Sequence, residues 1–543
     1  MVFCVSFLLL ALCSLRLCSR FSRSPADSYW IFIAAVMLQL GVIAGLTSSI
    51  RQLHPAGWIV AQFLICAIIL RSDGGWRAPT LQRVVLWWRQ LLSALGTFVT
   101  DLSTWGATAL MLVIGMLALS AITQIATPIH TGDEKMYHAS RVVYWIQQQS
   151  VFPFVTHNDR QNIIPFGSEL FFLWPVLLTK SEMVGRIVFW SAYPCAAIGQ
   201  YLLLRAMKLS ATTALVGALI LIATPLVSAS AIGLKPEIWS IVTLLGTSYW
   251  LVSVCLDPQG MATRCFLLGL FTMLSMNVRP FALLMVPGVL LIPLLSRSTV
   301  ARVSRVKAVA AGLACGCILS ALVIPLLFNL ARYHHPLGPA GARHVVMADI
   351  SPRQIYTHAV RFAFGLLELP DVAIPAETRA RFATIAHDLI SAVGAESVLP
   401  LEVAGRWPGQ FTYSLPERAT RFSLWGVFWI PTLVVAMLLL IRNVRATWPD
   451  VRLVAVSAQT LIALPVLIAI LVGARWMADS QVPTRYLIGP YALTLPIGIA
   501  IAVSSIRGKK LAASLLLVAI AVSVSTNACA TLRCGTRRRG AAH

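Results

Sequence analysis

Charge is scarce in this sequence, and acidic charge is the scarcest. Of its 543 residues, 12% are charged, with 20 Asp and Glu against 43 Lys and Arg. Hydrophobic residues make up 58%, and the mean hydropathy is +0.79, which excludes a soluble globular protein of this size. Apolar runs of roughly 17 to 22 residues recur, about the length that crosses ~30 Å of hydrocarbon as a helix. The sequence therefore predicts an all-α polytopic membrane protein.

Several chemical signatures are also missing. The chain has no GxGxxG, GxxxxGK[ST] or GxSxG motif, so nucleotide binding and serine hydrolysis lack support. All 11 cysteines lie in or beside apolar runs, which argues against a disulfide framework and a thiolate metal site. No fixed-period repeat or long low-complexity stretch is present.

We predict about 13–14 transmembrane helices. The N-terminal run lacks a preceding basic region, so it is interpreted as a retained anchor and not as a cleaved signal peptide. The candidate spans are residues 2–18, 28–49, 56–70, 105–122, 184–204, 212–230, 237–255, 264–278, 281–296, 309–329, 421–441, 453–473, 486–504 and 511–528.

The net charge of +23 at first suggests a nucleic-acid partner, but its distribution indicates membrane topology. Lys and Arg cluster after alternate spans, as in cytoplasmic loops. With the N-terminus outside, only the basic C-terminal tail disagrees. We therefore predict membrane lipids as partners and no nucleic acid. Two long segments, about 123–183 and 330–420, are then extracytoplasmic and hold most of the acidic residues.

Four regions follow from this pattern. Residues 1–103 are extra N-terminal spans with a cytoplasmic segment, read as an amphipathic surface helix or an ordinary connector. Residues 104–329 form a transmembrane core that contains the loop 123–183. Residues 330–420 form a cap with amphipathic patterning at 352–367 and 376–394. Residues 421–543 are C-terminal helices and a basic tail.

The stretch TGDEKMYH places two carboxylates directly after an apolar run. Thr131 and Glu134 fit a helix capping box, which predicts a helix over about 132–149. At i, i+4 spacing, one face carries acid, phenol, guanidinium and indole. Such a face suits either sugar binding in a cleft or packing against a neighbouring helix. The residues of this face are Asp133, Tyr137, Arg141 and Trp145.

The surrounding residues resemble a known family. TGDEKMYHASRVVYWIQQQSVFPF and NDRQNIIPFGSELFFLWP are similar to the first extracytoplasmic loop of bacterial GT-C membrane glycosyltransferases. Within this class, the loop more specifically resembles the family grouped with the rhizobial core-oligosaccharide transferases. It resembles the family 39 protein O-mannosyltransferases more distantly. KPEIWS, YHHPLGPAG, HAVRFAFG and VPTRYLIGP match in the same order, so the resemblance covers about 105–500. The sequence departs from the family pattern in two places. Relatives more often carry Asp at the position of Glu237, and they lack the three extra N-terminal spans.

The resemblance implies a GT-C-like bundle in the bacterial cytoplasmic (inner) membrane, with periplasmic active-site loops. Such enzymes move a sugar, normally with inversion, from a polyprenyl-phosphate donor to a glycan, lipid or protein acceptor. It implies Asp133, then Glu134, as the carboxylate base, and arginines for the lipid phosphate, although each arginine also suits snorkelling. The implied binding residues are Arg485, Tyr486, Tyr137, His138, Arg141, Arg160, Gln161, Lys235, Glu237, Arg279 and Arg361.

No cofactor is expected. A divalent metal on His334, His335 and His344, or on His138 and His157, is an alternative that their spacing does not favour. A transporter or flippase of lipid-linked sugars remains a competing class, although the spans carry few charges at mid-depth and the halves differ. A glycan ligase or polymerase and a non-catalytic assembly protein also remain open.

Overall fold

In a computed structural model, residues 1–71, 102–129, 133–256, 260–280, 299–336 and 338–339 are described, with isolated residues between 89 and 100, between 377 and 394, and at 495. The described residues form helices and no strands. The helices are α1 (Val2–Phe21), α2 (Pro25–Ser49), α3 (Pro55–Arg71), α4 (Thr104–Ala126), α5 (Ala139–Gln148), α6 (Arg160–Ile163), α7 (Leu170–Thr179), α8 (Glu182–Trp190), α9 (Ala192–Ala206), α10 (Ala211–Ala223), α11 (Pro225–Ala231), α12 (Glu237–Leu256), α13 (Met261–Val278), α14 (Thr299–Leu319) and α15 (Val323–Tyr333).

Six helical stretches within the described ranges are long and apolar enough to cross a membrane: Val2–Phe21, Pro25–Ser49, Thr104–Ala126, Glu182–Ala206, Glu237–Val254 and Met261–Val278. They coincide with six predicted spans, so the polytopic membrane class is confirmed. The predicted span 56–70 is a shorter apolar helix, α3. The spans at 281–296 and after residue 420 lie outside the described residues, and the total of 13–14 stays a prediction.

Helix α2 lies at the centre of the described bundle. Trp30 is fully buried, with its ring 5.9 Å from the ring of Tyr249 on α12 and 5.8 Å from that of Phe271 on α13. A Cβ added at Gly199 or Gly246 would lie within 3.1 Å of the Trp30 indole. Small residues thus let three helices close around one aromatic ring. Although residues 1–103 were predicted as an addition, α2 is integral to the core packing.

Polar side chains hold α1 and α3 to this core. Ser6 Oγ donates to Gln62 Oε1 at 2.5 Å, and Gln62 Nε2 donates to the Ser6 carbonyl at 2.7 Å. Trp174 Nε1 of α7 donates to Ser6 Oγ at 2.8 Å. Between apolar helices, such bonds contribute about 0.6–2 kcal/mol each. They fix the start of α1 beside the segment that follows α4.

Two predicted spans are interrupted. The span 212–230 divides into α10 and α11 at Thr224, where Pro225 starts the second helix, because proline cannot continue a preceding helix. The span 309–329 divides into α14 and α15, which form a pair bent by 80°. Asn277 Nδ2 donates to the Ser320 carbonyl at 2.6 Å and so satisfies an acceptor that the break leaves without a helical partner.

The helix predicted over 132–149 is wrong in one respect, because its first turn is a π-helix. The amphipathic segments predicted at 352–367 and 376–394 lie outside the described residues except for single positions. The same holds for most of the surface helix in 72–103.

The contact between α2 and the break after α14 yields a stability prediction. A Cβ at Gly41 would lie 2.5 Å from the Leu319 carbonyl oxygen and 2.7 Å from the Ser320 carbonyl carbon, so backbone atoms must move. We expect Gly41→Ala to lower the free energy of unfolding by about 1–3 kcal/mol, measured by thermal unfolding in detergent. Gly45→Ala is the matched control on the same helix, since its Cβ meets nothing within 4 Å. Equal melting temperatures for the two variants would contradict the close approach.

Candidate active site

The segment after α4 begins with a π-helical turn, Glu134–His138, that leads directly into α5. The backbone N–H of Ala139 donates to the carbonyl of Glu134, five residues earlier, where an α-helix would use four. Asp133 precedes the turn, is partly exposed, and does not cap it with its side chain. Single π-turns occur frequently at functional sites, so Asp133 is the first candidate for a catalytic carboxylate.

The three residues predicted to share a face with Asp133 are buried, whereas Asp133 is partly exposed. Tyr137, Arg141 and Trp145 are each at least 94% buried. The Arg141 guanidinium lies 5.6 Å from the Trp145 ring centroid, and the Trp145 ring lies 5.0 Å from that of Phe166. Of the two interpretations of this face, packing therefore holds for these three residues, and they do not line an open cleft with Asp133.

Glu134 is turned into the protein. Its side chain is fully buried, and Oε1 accepts a hydrogen bond from the backbone N–H of Leu234 at 3.3 Å. Gly233 makes this possible, because a Cβ there would lie 1.9 Å from Glu134 Oε1. The φ of Gly233 is +104°, which also favours glycine. Glu134 thus ties the π-turn to the start of α12. The capping box proposed for it involves Thr131, which lies outside the described residues.

The end of α4 is attached to Gly233, in the turn just before α12. Gln124 Oε1 accepts from the N–H of Gly233 at 2.7 Å, and its Nε2 donates to the Arg186 carbonyl at 3.2 Å. The Arg186 guanidinium donates to the carbonyls of Ile125, at 3.0 Å, and Thr127. A cation at the last carbonyls of a helix complements the helix dipole. The chain therefore enters the π-turn from a rigidly held helix end.

Residues Arg160 to Asn162 bring the loop back onto the π-turn. Gln161 Nε2 donates to the Met136 carbonyl at 2.7 Å and to Ser140 Oγ at 2.9 Å. Asn162 accepts from the N–H of Phe154 at 3.2 Å and donates to its carbonyl at 2.6 Å. Gln161 was predicted to bind substrate, yet its amide holds the loop to the π-turn. Arg160 is exposed, with its guanidinium 6.0 Å from the Tyr137 ring centroid.

A buried charge cluster centred on Glu169 lies behind the turn. Glu169 Oε1 is 2.8 Å from His138 Nδ1 and 3.5 Å from Arg141 NH1. Ser168 Oγ donates to Glu169 Oε2 at 2.7 Å. Arg141 also donates to the carbonyls of Ile164 and Arg160 at 3.2 and 3.0 Å. Since these partners are internal, Arg141 is part of the scaffold in this conformation.

The cluster keeps the Glu169 carboxyl ionised. Burial alone raises its pKa, but the charge of Arg141 and the hydrogen bonds from His138 and Ser168 outweigh this and lower the pKa to about 2. Burial also lowers the pKa of the Arg141 guanidinium, while the charge of Glu169 opposes that change. A buried pair of this kind is stable only while both partners remain.

Of the other predicted binding residues, some lie at or near the start of α12 and the rest lie outside the described residues. Lys235 is partly exposed just before α12, and Glu237 forms an ion pair with Arg279 at the end of α13. Both positions adjoin the turn that binds Glu134. The predicted Arg361, Arg485 and Tyr486 lie outside the described residues, so the predicted phosphate-binding arginine is not placed. Among the described residues, no group of three or more His, Cys, Asp or Glu is arranged to hold a metal.

Three residues of this site were not predicted to have a role there. Glu169 lies in the quoted stretch NDRQNIIPFGSELFFLWP but was given no function, although a lone acid among apolar residues is a signal for a buried ion pair. Gly233 precedes a helix start, but nothing local relates it to an acid about a hundred residues away. Nothing in the surrounding sequence distinguishes Gln124 from an ordinary residue of α4.

No family model, curated protein or solved structure matches this chain significantly. Composition and the membrane-length helices define the class, a polytopic α-helical membrane protein.

The contact between Gly233 and Glu134 leads to a test of the turn. We expect Gly233→Ala to displace the Glu134 carboxylate and to destabilise the protein by about 2–4 kcal/mol, since it adds a clash to a strained backbone. Gly338→Ala is the control, because Gly338 also has a positive φ, +93°, but its Cβ would lie 3.5 Å from the nearest atom. Glu134→Ala in the Gly233→Ala background should restore part of the loss. Thermal unfolding of wild type, Gly233→Ala, Glu134→Ala, the double variant and the Gly338→Ala control measures it, and additive effects of the two changes would contradict the contact.

The low pKa of Glu169 predicts a pH dependence. Its folded-state pKa lies below the value of about 4.3 for an unfolded chain, so its stabilisation is present above pH ~4 and is lost as the pH falls towards 2. The lost stabilisation is on the order of 3 kcal/mol. We expect Glu169→Gln to lower the melting temperature at pH 7 and to flatten its decline below pH 4.5. The side chain of Glu182 is half-exposed. Glu182→Gln should therefore leave the melting temperature at pH 7 and its decline below pH 4.5 nearly unchanged.

Proposed function

We propose that this chain is an integral-membrane glycosyltransferase that moves a sugar from a polyprenyl-phosphate donor to an extracytoplasmic acceptor. The observation that carries the proposal is the contrast within the acidic pair. Asp133 is partly exposed at the start of a π-turn, while Glu134 is buried and fastens that turn to α12. A carboxylate presented from a fixed backbone next to a membrane-length helix suits chemistry on a lipid headgroup. The residue pattern supports the same class.

In the proposed reaction, Asp133 accepts the proton of the acceptor hydroxyl as its oxygen attacks the anomeric carbon. The bond from that carbon to the phosphate oxygen breaks on the opposite face, and the configuration inverts. The electron pair leaves on the lipid phosphate. Positioning contributes as much as basicity, because it replaces a bimolecular encounter by a fixed geometry. Glu134, Gln124 and Gln161 hold the turn in this account.

Partners for the donor phosphate are proposed from the pattern. Arg485 is the first candidate, followed by Arg361, Arg279 and Lys235, because a guanidinium fork matches phosphate geometry. Tyr486 and the exposed Arg160 complete the proposed binding set, whereas Tyr137 is buried and is left out of it. We place the enzyme in the bacterial cytoplasmic membrane with residues 123–183 and 330–420 in the periplasm. The acceptor is a glycan, a lipid or a protein.

One observation favours a second candidate, a transporter or flippase of lipid-linked sugars. The pair α14 and α15 is bent by 80° at a short break, and interrupted helices commonly form substrate sites in transporters. Asn277 Oδ1 and Ser320 Oγ at this break are buried and have no hydrogen-bond partner among the described residues. A flippase would retain its activity when Asp133 is neutralised, whereas a transferase would not.

The test measures donor binding and sugar transfer separately. Native mass spectrometry of the detergent-purified protein with polyprenyl phosphate and its monoglycosylated forms reports retention. Release of free polyprenyl phosphate after addition of membrane extract reports transfer. We expect wild type and Asp133→Asn to retain the glycosylated lipid, Arg485→Ala to lose it, and Asp133→Asn to transfer at least about 100-fold more slowly.

Asp159→Asn is the matched control, since Asp159 is exposed in the same loop, and it should behave as wild type. If no polyprenyl phosphate binds better than an ordinary phospholipid, the proposed donor is wrong. If Asp133→Asn transfers at the wild-type rate, Asp133 is not the base.

A further inference from the structure

Helices α13 and α14 run side by side in the same direction. A Cβ added at Gly269 of α13 would meet the carbonyl oxygen of Val309, and one added at Gly316 of α14 would lie 2.7 Å from Met273 Cβ. Residue numbers therefore rise together along the two helices. Since α13 is long and apolar enough to cross a membrane, α14 follows the same path and ends on the same side.

Both helices end beside the loop that continues from the π-turn. The carbonyl of Asn277, at the end of α13, accepts a hydrogen bond from the N–H of Gly167 at 2.9 Å, and the Asn277 side chain donates to the carbonyl of Ser320. The next helix, α15, is bent by 80° from α14. Because membrane helices tilt by about 20° on average, this bend leaves α15 within roughly 30° of the membrane plane, on the side of the π-turn.

The polarity of α15 is inverted relative to a helix at a protein–water surface. Between Val323 and Ala331 its only polar side chain is that of Asn329, and Asn329 is 2% exposed. On the other side of the helix, Leu327 and Leu330 are 58% and 51% exposed. A helix that borders water turns its polar residues outward and its apolar residues towards the core. The outer face of α15 therefore has the composition of a surface in contact with lipid.

Asn329 fastens α15 to the loop after the π-turn. Its Nδ2 donates to the carbonyls of Ile163 and Pro336, both at 3.0 Å. Ile163 is the last residue of α6, and the same short helix contains Gln161, which donates to the Met136 carbonyl in the π-turn. Two hydrogen-bonded links therefore lead from α15 through α6 to the π-turn.

We propose that α15 is an interfacial anchor. Its outer face, formed by Leu327 and Leu330, lies among the acyl chains of the leaflet on the side of the π-turn, and Asn329 holds the loop after the π-turn at this depth. Arg332, exposed in the last turn of α15, then reaches the level of the anionic lipid phosphates. This contact with the bilayer is independent of the reaction that the site performs.

The depth of α15 is measured with the full chain in vesicles of phosphatidylethanolamine and phosphatidylglycerol. Leu327 or Leu330 is replaced by p-acetylphenylalanine, whose ketone takes a nitroxide label without reaction at the native cysteines. Electron paramagnetic resonance then compares collisions of the label with oxygen, which concentrates in lipid, and with a water-soluble nickel chelate. Ile114, 51% exposed on α4, gives the lipid reference, and the exposed Asp159 gives the water reference.

We expect the oxygen-to-nickel collision ratio at Leu327 and Leu330 to lie above the ratio at Asp159 and below that at Ile114. Interfacial helices are buried only ~5–10 Å into the boundary between headgroups and acyl chains, whereas Ile114 lies near the middle of a membrane-length helix. Both labelled positions are exposed, so the label replaces no core contact.

The link to the loop is tested with Asn329→Ala, which removes both side-chain hydrogen bonds. We expect the amides of residues 161–163 to exchange with deuterium about three- to tenfold faster than in wild type, as measured by mass spectrometry in the same vesicles. Gln148→Ala is the matched control, since Gln148 also donates to two carbonyls, those of Ser150 and Phe152. It should leave exchange at 161–163 unchanged.

Each result supports or overturns one half of the inference. A collision ratio at Leu327 and Leu330 equal to that at Asp159 means that water covers this face, and the interfacial position is wrong. Low collision rates with both reagents mean that protein covers it, which also overturns the position. If the depth is as expected but Asn329→Ala exchanges like wild type at 161–163, α15 does not anchor the loop. No glycosylated lipid enters these measurements, so their failure is distinct from failure of the proposed function.

Discussion

One hydrogen bond, from the Leu234 backbone N–H to the Glu134 carboxylate, connects the membrane helices to the segment outside them. It joins residues about a hundred positions apart at the point where α4, the π-turn and α12 meet. The carboxylate fits only because Gly233 has no side chain. Without this attachment, the start of the π-turn would lose its link to α12, although Gln161 and Glu169 would still hold its later residues. The partly exposed Asp133 therefore depends for its position on the buried Glu134 beside it.

Buried charge around the turn is compensated locally. Glu169 faces Arg141, Glu237 faces Arg279, and the Arg186 guanidinium occupies the carbonyl end of α4. Such pairs add little net stability compared with apolar packing, but the loss of one partner is strongly destabilising. They fix geometry, in a region where apolar packing alone would allow several arrangements. The proposed catalytic carboxylate differs from them because solvent reaches it.

The sequence was sufficient for the features that depend on local pattern. Apolar length predicted six helices that the structure contains, and the capping-box spacing of Thr131 and Glu134 predicted a helix start near residue 132. The features that it missed depend on distant partners. The π-turn, the inward direction of Glu134 and the role of Glu169 each require knowledge of Leu234, Gly233 or Arg141 in space. The break after α14 depends on Asn277, and composition alone gave no sign of it because both halves are apolar.

The break between α14 and α15 also bears on how the protein is made. The Ser320 carbonyl would meet only lipid if this segment entered the bilayer alone, and an unsatisfied backbone group there costs several kcal/mol. Its partner, Asn277, belongs to α13, which the ribosome synthesises before α14 and α15. Assembly in the order of synthesis therefore offers the bent segment its hydrogen bond on arrival. A circular permutation that moved α13 behind α15 would preserve every contact of the finished fold and yet deprive its insertion of this support.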